Sequence, residues 1–290
     1  MKLIAADVAP ALVGNLLMGN LINRQYEPAL AQAGDTVNIP ITPSMTAANL
    51  AEGGTVQTQN PKLGNAQIVL NTHAYAGFLI PDVTRALSFP DLIRIYMSPA
   101  IIAVAERIEQ DIFGLYSFLT ANAAVGTAGA APTEGVIDSA ERTLFEAKIP
   151  DSEPRILVVD SDAYSTIRQL PRYSEMDKIG NAAIDALANG TVRRIKDFNL
   201  FRSQYVKETG GGPVTTHNLG FTRNAMGMAM RRLPQPLPGT GAIAEYAEMG
   251  NFGVRVTMSY NPSTLSQQVT VDALYGVAVL DSRYAVEVQS

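Results

Sequence analysis

The chain has 290 residues, of which 47 % are apolar and only 17 % charged, against about a quarter charged in ordinary globular proteins. That balance excludes a disordered chain and gives one elaborated domain or two lobes. The absence of cysteine excludes disulfides, thiolate zinc sites and cysteine nucleophiles, and a net charge of −5 argues against tight binding to nucleic-acid phosphates.

Low charge has a second consequence. A compact monomer of this length would expose roughly 12,000 Å², and 22 basic plus 27 acidic side chains cover that area sparsely. Part of the surface is therefore expected to be covered by other copies.

From the N-terminus, Leu12, Leu16, Leu17 and Leu21 recur at helical spacing, with Asp7 placed to cap the helix. Asp7 and Pro10 interrupt the apolar run, so it is read as a docking helix and not as a secretion signal. No apolar stretch reaches the roughly 20 residues of a membrane span, which gives the expectation of a soluble protein made in the cytoplasm.

Next comes an alternating run, with Val37, Ile39 and Ile41 on one face and Thr36 and Asn38 on the other. A second extended run shares one parity through Ile68, Leu70, Phe78 and Ile80. Between them, Thr42 to Asn65 is polar and punctuated by Pro43, Gly53, Gly54, Pro61 and Gly64. A structureless loop of that length does not suit a compact domain. A long hairpin that leaves the body and lies on a neighbour does, with Lys62 read at its tip.

Ser98-Pro99 predicts a helix start, after which Ile101, Val104, Ile108, Ile112 or Phe113, Leu115 and Leu119 step by three or four. Glu106, Arg107, Glu109, Gln110 and Asp111 fall on the opposite, solvated face. Phe89 to Met97 reads as a short helix leading in. Thr133 starts a further helix that buries Val136, Ile137, Ala140 and Leu144, and Ile156 to Val159 reads as a buried strand. The run from Asn218 to Leu233 fits strand or helix, and the C-terminal segment from Phe252 is strand-rich with a turn at Asn261-Pro262. The order is an α+β mixture around one long helix, with no βαβ repeat.

Patterns that carry chemistry are sparse. The phosphate-binding, nucleophile-elbow and zinc-protease motifs are missing. Asp160 and Asp162 follow a strand, as a magnesium site or a helix cap would have them. His73 and His217 are far apart in sequence, and Thr209 to Pro213 reads as a glycine-rich loop tip. No cofactor and no metal are expected. The charge layout says more: from 106 to 187 there are fourteen acidic residues against seven basic, whereas from 188 to 232 eight basic residues face Asp197 and Glu208 alone. That split suits pairing between copies, settlement within one molecule, or a nucleic-acid patch.

Taken in order, these pieces resemble the major capsid proteins of tailed bacteriophages, whose fold is shared with the floor of the herpesvirus shell. The residues that carry the resemblance are GDTVNIPI with its long excursion and AYAGFLIPD, then SPAIIAVAERIEQDIF, RILVVDSDAY, and the run NLGFTRNAMGMAMRRL to DALYGVAVL. The resemblance implies an N-terminal arm over 1–34 and an extended loop over 35–81. It implies a peripheral lobe with spine helix over 82–132 and 243–290, and an axial lobe over 133–242. Ala273 to Gly276 is then expected to form a turn. Glu52, Thr55, Gln57, Gln59, Lys62 and Asn65 are expected to meet neighbours through the loop, and Leu12, Leu16, Leu17 and Leu21 through the arm. Arg193, Arg194, Lys196, Arg202, Arg231 and Arg232 are expected to pair across subunits, and Gly210, Gly211 and Gly212 to form the loop at the capsomer centre.

The implied function is a non-enzymatic shell subunit that assembles through hexamers and pentamers around double-stranded DNA, touched weakly. With no N-terminal extension apparent, a separate scaffolding protein and a portal are implied, with a cement protein as a further partner and no membrane. In some such shells an extended-loop lysine bonds covalently to a neighbour's asparagine, the option open to Lys62. An encapsulin-like compartment keeps the fold as an alternative, and an oligomeric metal enzyme using Asp160 and Asp162 is a distant one.

Overall fold

The computed structural model describes residues 16–26, 36–41, 43, 45–50, 52–87, 92–150, 153–170, 193–211, 213–249 and 252–290. Leu12, Asp7 and Gly212 lie outside them.

The alternation at 36–41 becomes strand β1 (Thr36–Ile41), with Val37 and Ile39 buried. It pairs antiparallel with β2 (Gly64–Val69), Ile41 facing Gly64. The chain then enters β3 (Thr72–Pro81) and a short helix α2 (Asp82–Leu87). The long helix α3 (Leu92–Phe113) passes into a 3₁₀ turn (Gly114–Phe118). A short helix α1 (Met18–Leu21) precedes all of these.

Pro99 lies inside α3 and does not begin it. A proline within a helix leaves the carbonyl four residues earlier without its N–H partner. Here that residue is Ile95, which is exposed, so water can satisfy the group. The predicted apolar face of α3 is buried throughout: Ile101, Val104, Ile108, Ile112 and Phe113 are at most 3 % exposed.

The second half of the chain supplies β4 (Val125–Gly126), α4 (Glu134–Glu146), β5 (Arg155–Val159), α5 (Ser161–Gln169), β6 (Arg194–Ile195), β7 (Phe198–Arg202) and β8 (Lys207–Thr209). There follow β9 (Thr215–Thr222), β10 (Met226–Arg231), β11 (Ile243–Met249), β12 (Phe252–Asn261), β13 (Ser266–Val279) and β14 (Ala285–Gln289). Thr133 caps α4, its side chain accepting from the Val136 N–H, and Asp160 caps α5 by accepting from the Asp162 N–H.

Two sheets flank the long helix. One runs β10-β13-β12-β11 with β3 also on β13, and the other runs β4-β14-β9-β5-β7-β6 with β8 on β9. The block 243–290 therefore feeds both sheets, since β14 crosses to the second, and the block 133–242 feeds both through β10. The sheets thus cut across the division expected from the sequence, 82–132 with 243–290 and 133–242, at these two strands. Long-range pairing partners carry no local sequence signal, so a crossing strand is invisible until its register is seen.

The main core lies between the sheets. There α3 meets Ile156, Val158, Leu219 and Phe221 from one sheet and Val254, Val256, Val269 and Val271 from the other. Behind the second sheet, α4 and α5 pack on Leu157, Val159, Val286 and Val288. Strand β5 thus buries both faces, which is why its sequence is a continuous apolar run.

The ambiguous segment from Asn218 is strand throughout: β9 and β10 follow one another across a short turn but lie in different sheets. Its methionines 226, 228 and 230 enter the main core, while Gly227 and Ala229 turn to the other face. A Cβ at Gly227 would meet Leu280 at 3.0 Å and Ile68 at 3.1 Å, so small residues there let the root of the β1–β2 hairpin sit on the sheet. Ala273 to Gly276 is no turn: it lies within β13, with Gly276 paired to Ala229.

Candidate assembly surfaces

The polar excursion is an arm. Every described residue from Met45 to Leu63 is exposed, and the chain reverses at Glu52-Gly53, where Gly53 has φ +78°. The two sides stay in register without a backbone ladder. Thr46 faces Gln59 five steps beyond the Ile41–Gly64 pair. There the Gln59 amide accepts from the Thr46 N–H at 3.2 Å and donates to its carbonyl at 2.5 Å. One side-chain amide thus stands in for a peptide group opposite Thr46.

Along this arm Met45, Leu50, Val56 and Leu63 are 58–71 % exposed. Glu52, Thr55, Gln57 and Lys62 are exposed as well. Gln59 is occupied by Thr46, and the Asn65 amide donates to Asn38 Oδ1 at 3.0 Å, across the base of the hairpin. Lys62 is not at the tip. It lies on the returning side, two residues before β2.

The N-terminal leucines divide. Leu16 is 1 % exposed, buried in the chain's own core, and Leu17 and Leu21 pack partly against the same core. Leu16 therefore has no surface to offer a neighbour, a correction to its reading as an arm contact. Of these leucines only Leu21 lies in α1, which sits on α3, where Glu109 accepts from the Met18 N–H at 3.0 Å and the Gly19 N–H at 3.2 Å. Glu109 is fully buried, not solvated as its place among charged residues suggested. Burial pushes its carboxyl up to about 7, against the opposing pull of the backbone N–H groups.

The basic run is partly settled at home. Lys196, at φ +51° in the β6–β7 turn, pairs with Asp138 and Glu134 of α4, and Arg194 reaches Asp197 at 3.4 Å. Arg202 stands 5.5 Å over the Tyr164 ring and Arg232 4.6 Å over that of Tyr246. Arg193 is exposed and Arg231 is half-buried. Lys196 and Arg194 thus meet acidic partners within the molecule. Gly210, at φ +95°, and Gly211 are exposed at the turn between β8 and β9.

Both histidines brace strands. His73 Nε2 lies 2.8 Å from Asp272 Oδ2, and Asp272, 3 % exposed, is also gripped by Arg255 at 3.1 and 2.5 Å. This joins β3, β13 and β12 on the sheet face away from α3. His217 bridges Thr209 and Glu287 at 2.6 Å each and stacks on Tyr116 at 3.9 Å, tying β8 to β14. Asp272→Ala leaves a partly buried guanidinium without its carboxylate. We expect it to cost about 3 kcal/mol, read as a lower midpoint in urea unfolding. Asp160 and Asp162 form a cap, and among the described residues no cluster of three ligating side chains is found. No described helix is long and apolar enough to cross a membrane.

Two sheets on a spanning helix, with an exposed arm projecting from one side, define a coat-subunit architecture, and solved phage structures share it. A chain from Mycobacterium phage Che8 superposes with a TM-score of 0.72 at 18 % identity, covering 94 % of this chain and 90 % of that one. The capsid of cyanophage P-SCSP1u gives 0.62 at 15 % identity over 88 % and 83 %, and the capsid of Ralstonia phage GP4 gives 0.62 at 12 % over 93 % and 87 %. No curated protein matches in sequence. Residues 79–288 match the family described as phage capsid protein, and the chain belongs to that family. It is a major capsid protein, a structural subunit that associates with its own kind in the virion shell. Neither the family match nor the solved structures support an encapsulin-like or enzymatic alternative.

Proposed function

We propose that copies of this chain assemble through hexamers and pentamers into a closed icosahedral shell around double-stranded DNA, each subunit clamped by its neighbours' projecting arms. The observation that carries this reading is the arm itself. It exposes the apolar side chains of Met45, Leu50, Val56 and Leu63, which a solitary monomer has no use for and which a neighbour would cover. Closed symmetry sums many such modest contacts.

In this reading the five-stranded sheet is the floor of a peripheral lobe, and the seven-stranded sheet with α4 and α5 is an axial lobe. The Gly210–Gly212 turn then faces the capsomer centre, while Arg193, Arg202, Arg231 and Arg232 contribute to subunit edges. The net charge of −5 keeps contact with packaged DNA weak. Scaffolding protein, portal and cement protein are the further partners, and assembly takes place in the host cytoplasm. The chain's role is structural and not catalytic.

The test is light scattering after size exclusion, with negative-stain images of the leading peak. Closed shells or megadalton capsomers are expected. A monomer or small dimer of defined mass, unmoved by a scaffolding partner or by crowding, would overturn the proposal.

A further inference from the structure

Three strands of the second sheet bring a hydroxyl, an imidazole and a carboxylate into one line. Strand β8 pairs with β9 through Thr209 and Thr215, so Thr209 lies diagonally across from His217 on the same face. On the other side β14 sets Gln289 opposite His217, which puts Glu287, two residues away, on that face as well. The side chains complete the line. Thr209 Oγ1 and His217 Nε2 are 2.6 Å apart, and His217 Nδ1 and Glu287 Oε1 are also 2.6 Å apart. The Gln289 amide donates to the same Glu287 oxygen at 2.8 Å, and the Tyr116 ring stacks on the imidazole with centroids 3.9 Å apart.

The donors and acceptors decide where the protons sit. A carboxylate only accepts, so the neutral ring carries its hydrogen on Nδ1 and donates to Glu287. Nε2 is then an acceptor, and the proton in that contact is the one on the Thr209 hydroxyl. A hydroxyl held on a base that a carboxylate orients is the arrangement of an activated nucleophile. A strand brace needs neither that order nor access to the hydroxyl. Here His217 is 6 % exposed while Thr209 is exposed, so the base is sheltered and the hydroxyl is within reach of solvent. Beside it Gly210 turns the chain at φ +95°, and a Cβ at Gly211 would meet nothing within 4 Å, which leaves the approach open.

We propose that Thr209 is an activated hydroxyl that takes an acyl group from an activated ester or thioester, with His217 as its base and Glu287 positioning that base. In the transfer, Oγ1 bonds to the acyl carbon as that carbon's bond to the leaving oxygen or sulfur breaks. The hydroxyl proton passes to Nε2 and from there to the leaving alkoxide or thiolate, and nothing is oxidised or reduced. Glu287 balances the imidazolium that exists between the two proton transfers. Once Oγ1 carries the acyl group, that group stands between Nε2 and water, so the site takes one acyl per subunit and does not turn over. It is a modification site in a structural protein, lies within one subunit, and does not rest on the shell reading.

The probe is p-nitrophenyl acetate, applied to the purified full-length protein near neutral pH. Released p-nitrophenolate is followed by absorbance, and acetylated residues are located by peptide mass spectrometry. Lys207, also on β8, is the amine closest in sequence. Hydroxylamine separates the two, since it removes an acetyl ester from Thr209 and leaves an amide on Lys207. A positioned base speeds such a step by about 100-fold or more. Thr209 is therefore expected to acetylate about 100-fold faster than the exposed Thr55 and Thr120. Release from this site should stop at one p-nitrophenolate per subunit.

Thr209→Val should lose the acetyl at this position, and Thr209→Ser should keep it at an equal or higher rate. His217→Gln should bring Thr209 down to the rate of Thr55 and Thr120. Glu287→Gln keeps a hydrogen-bonding side chain without the charge, and it should slow acetylation at least about tenfold at an unchanged melting temperature. If either of these two variants fails to fold, the parent's Thr209 rate against Thr55 and Thr120 decides alone. A Thr209 no faster than those two overturns the proposal and leaves the three side chains as a brace. So does an equal Thr209 rate in folded His217→Gln, which would assign the reactivity to exposure, or acetyl found on Lys207 alone. Whether the sample forms shells is a separate observation.

Discussion

Gly276→Val is expected to leave little folded protein. Gly276 lies toward the end of β13, opposite Ala229, and a Cβ there would stand 2.1 Å from the Val69 carbonyl oxygen and 2.8 Å from its carbon. Both are backbone atoms of β2, so no side-chain rotation relieves the clash. The hairpin root must move off the sheet, exposing Ile68 and Leu70, which are buried against Ala229 and Leu280. Overpacking a core commonly costs 1–3 kcal/mol, and displacing this hydrophobic cluster adds to it, so a loss of about 4 kcal/mol or more is the expected size. Alanine should do nearly as much harm as valine, because the first carbon already collides. A melting temperature within about 2 °C of the parent for Gly276→Ala would show that the strands part without cost.

Excision of the arm should have the opposite profile, folding retained and assembly lost. Replacing residues 45–62 by a short Gly-Ser connection removes, among the described residues, exposed ones and the Thr46–Gln59 clasp. The β1–β2 ladder, from Thr36–Val69 to Ile41–Gly64, and its buried cluster remain. Loop shortening changes stability by only about 1 kcal/mol, so the variant should unfold close to the parent's denaturant midpoint. In size exclusion with light scattering it should run as a subunit-sized species where the parent forms megadalton particles. Particles of parental diameter from the excised protein would mean that the arm is not the clamp and that the sheet edges carry the contacts.

These two predictions mark different kinds of legibility. The excised arm could be read from residues alone: a polar stretch punctuated by glycine and proline between two alternating runs has no interior to fold into, and it is exposed as that composition requires. The buried stripe of α3 was readable for the same reason, since Ile101, Val104, Ile108 and Ile112 repeat at the helical period. The caps at Thr133 and Asp160 also follow from local chemistry, a short polar side chain just before a helical run.

Gly276 could not be read in this way. In sequence it sits in an ALYG run that resembles a turn, and its role depends on a strand some 200 residues earlier passing over it. The assignment of β14 and β10 to sheets they do not adjoin in sequence is of the same kind, as is Pro99 inside its helix, tolerated because Ile95 faces water. Glu109 shows the limit most sharply. Among Glu106, Arg107, Gln110 and Asp111 it reads as solvated, and only the docking of residues 16–22 makes it buried.

By itself, then, the sequence determined whatever depends on near neighbours: periodicity, caps, the exposed arm, the sparse charge of a surface meant to be shared. The tertiary structure decided which strands cross between sheets, which glycine permits a close approach, which cations are already paired and which carboxyl loses its water. The physical reason is one of range. Backbone preference and amphipathic period act over a few residues, whereas strand register and desolvation are set by atoms brought together from distant parts of the chain.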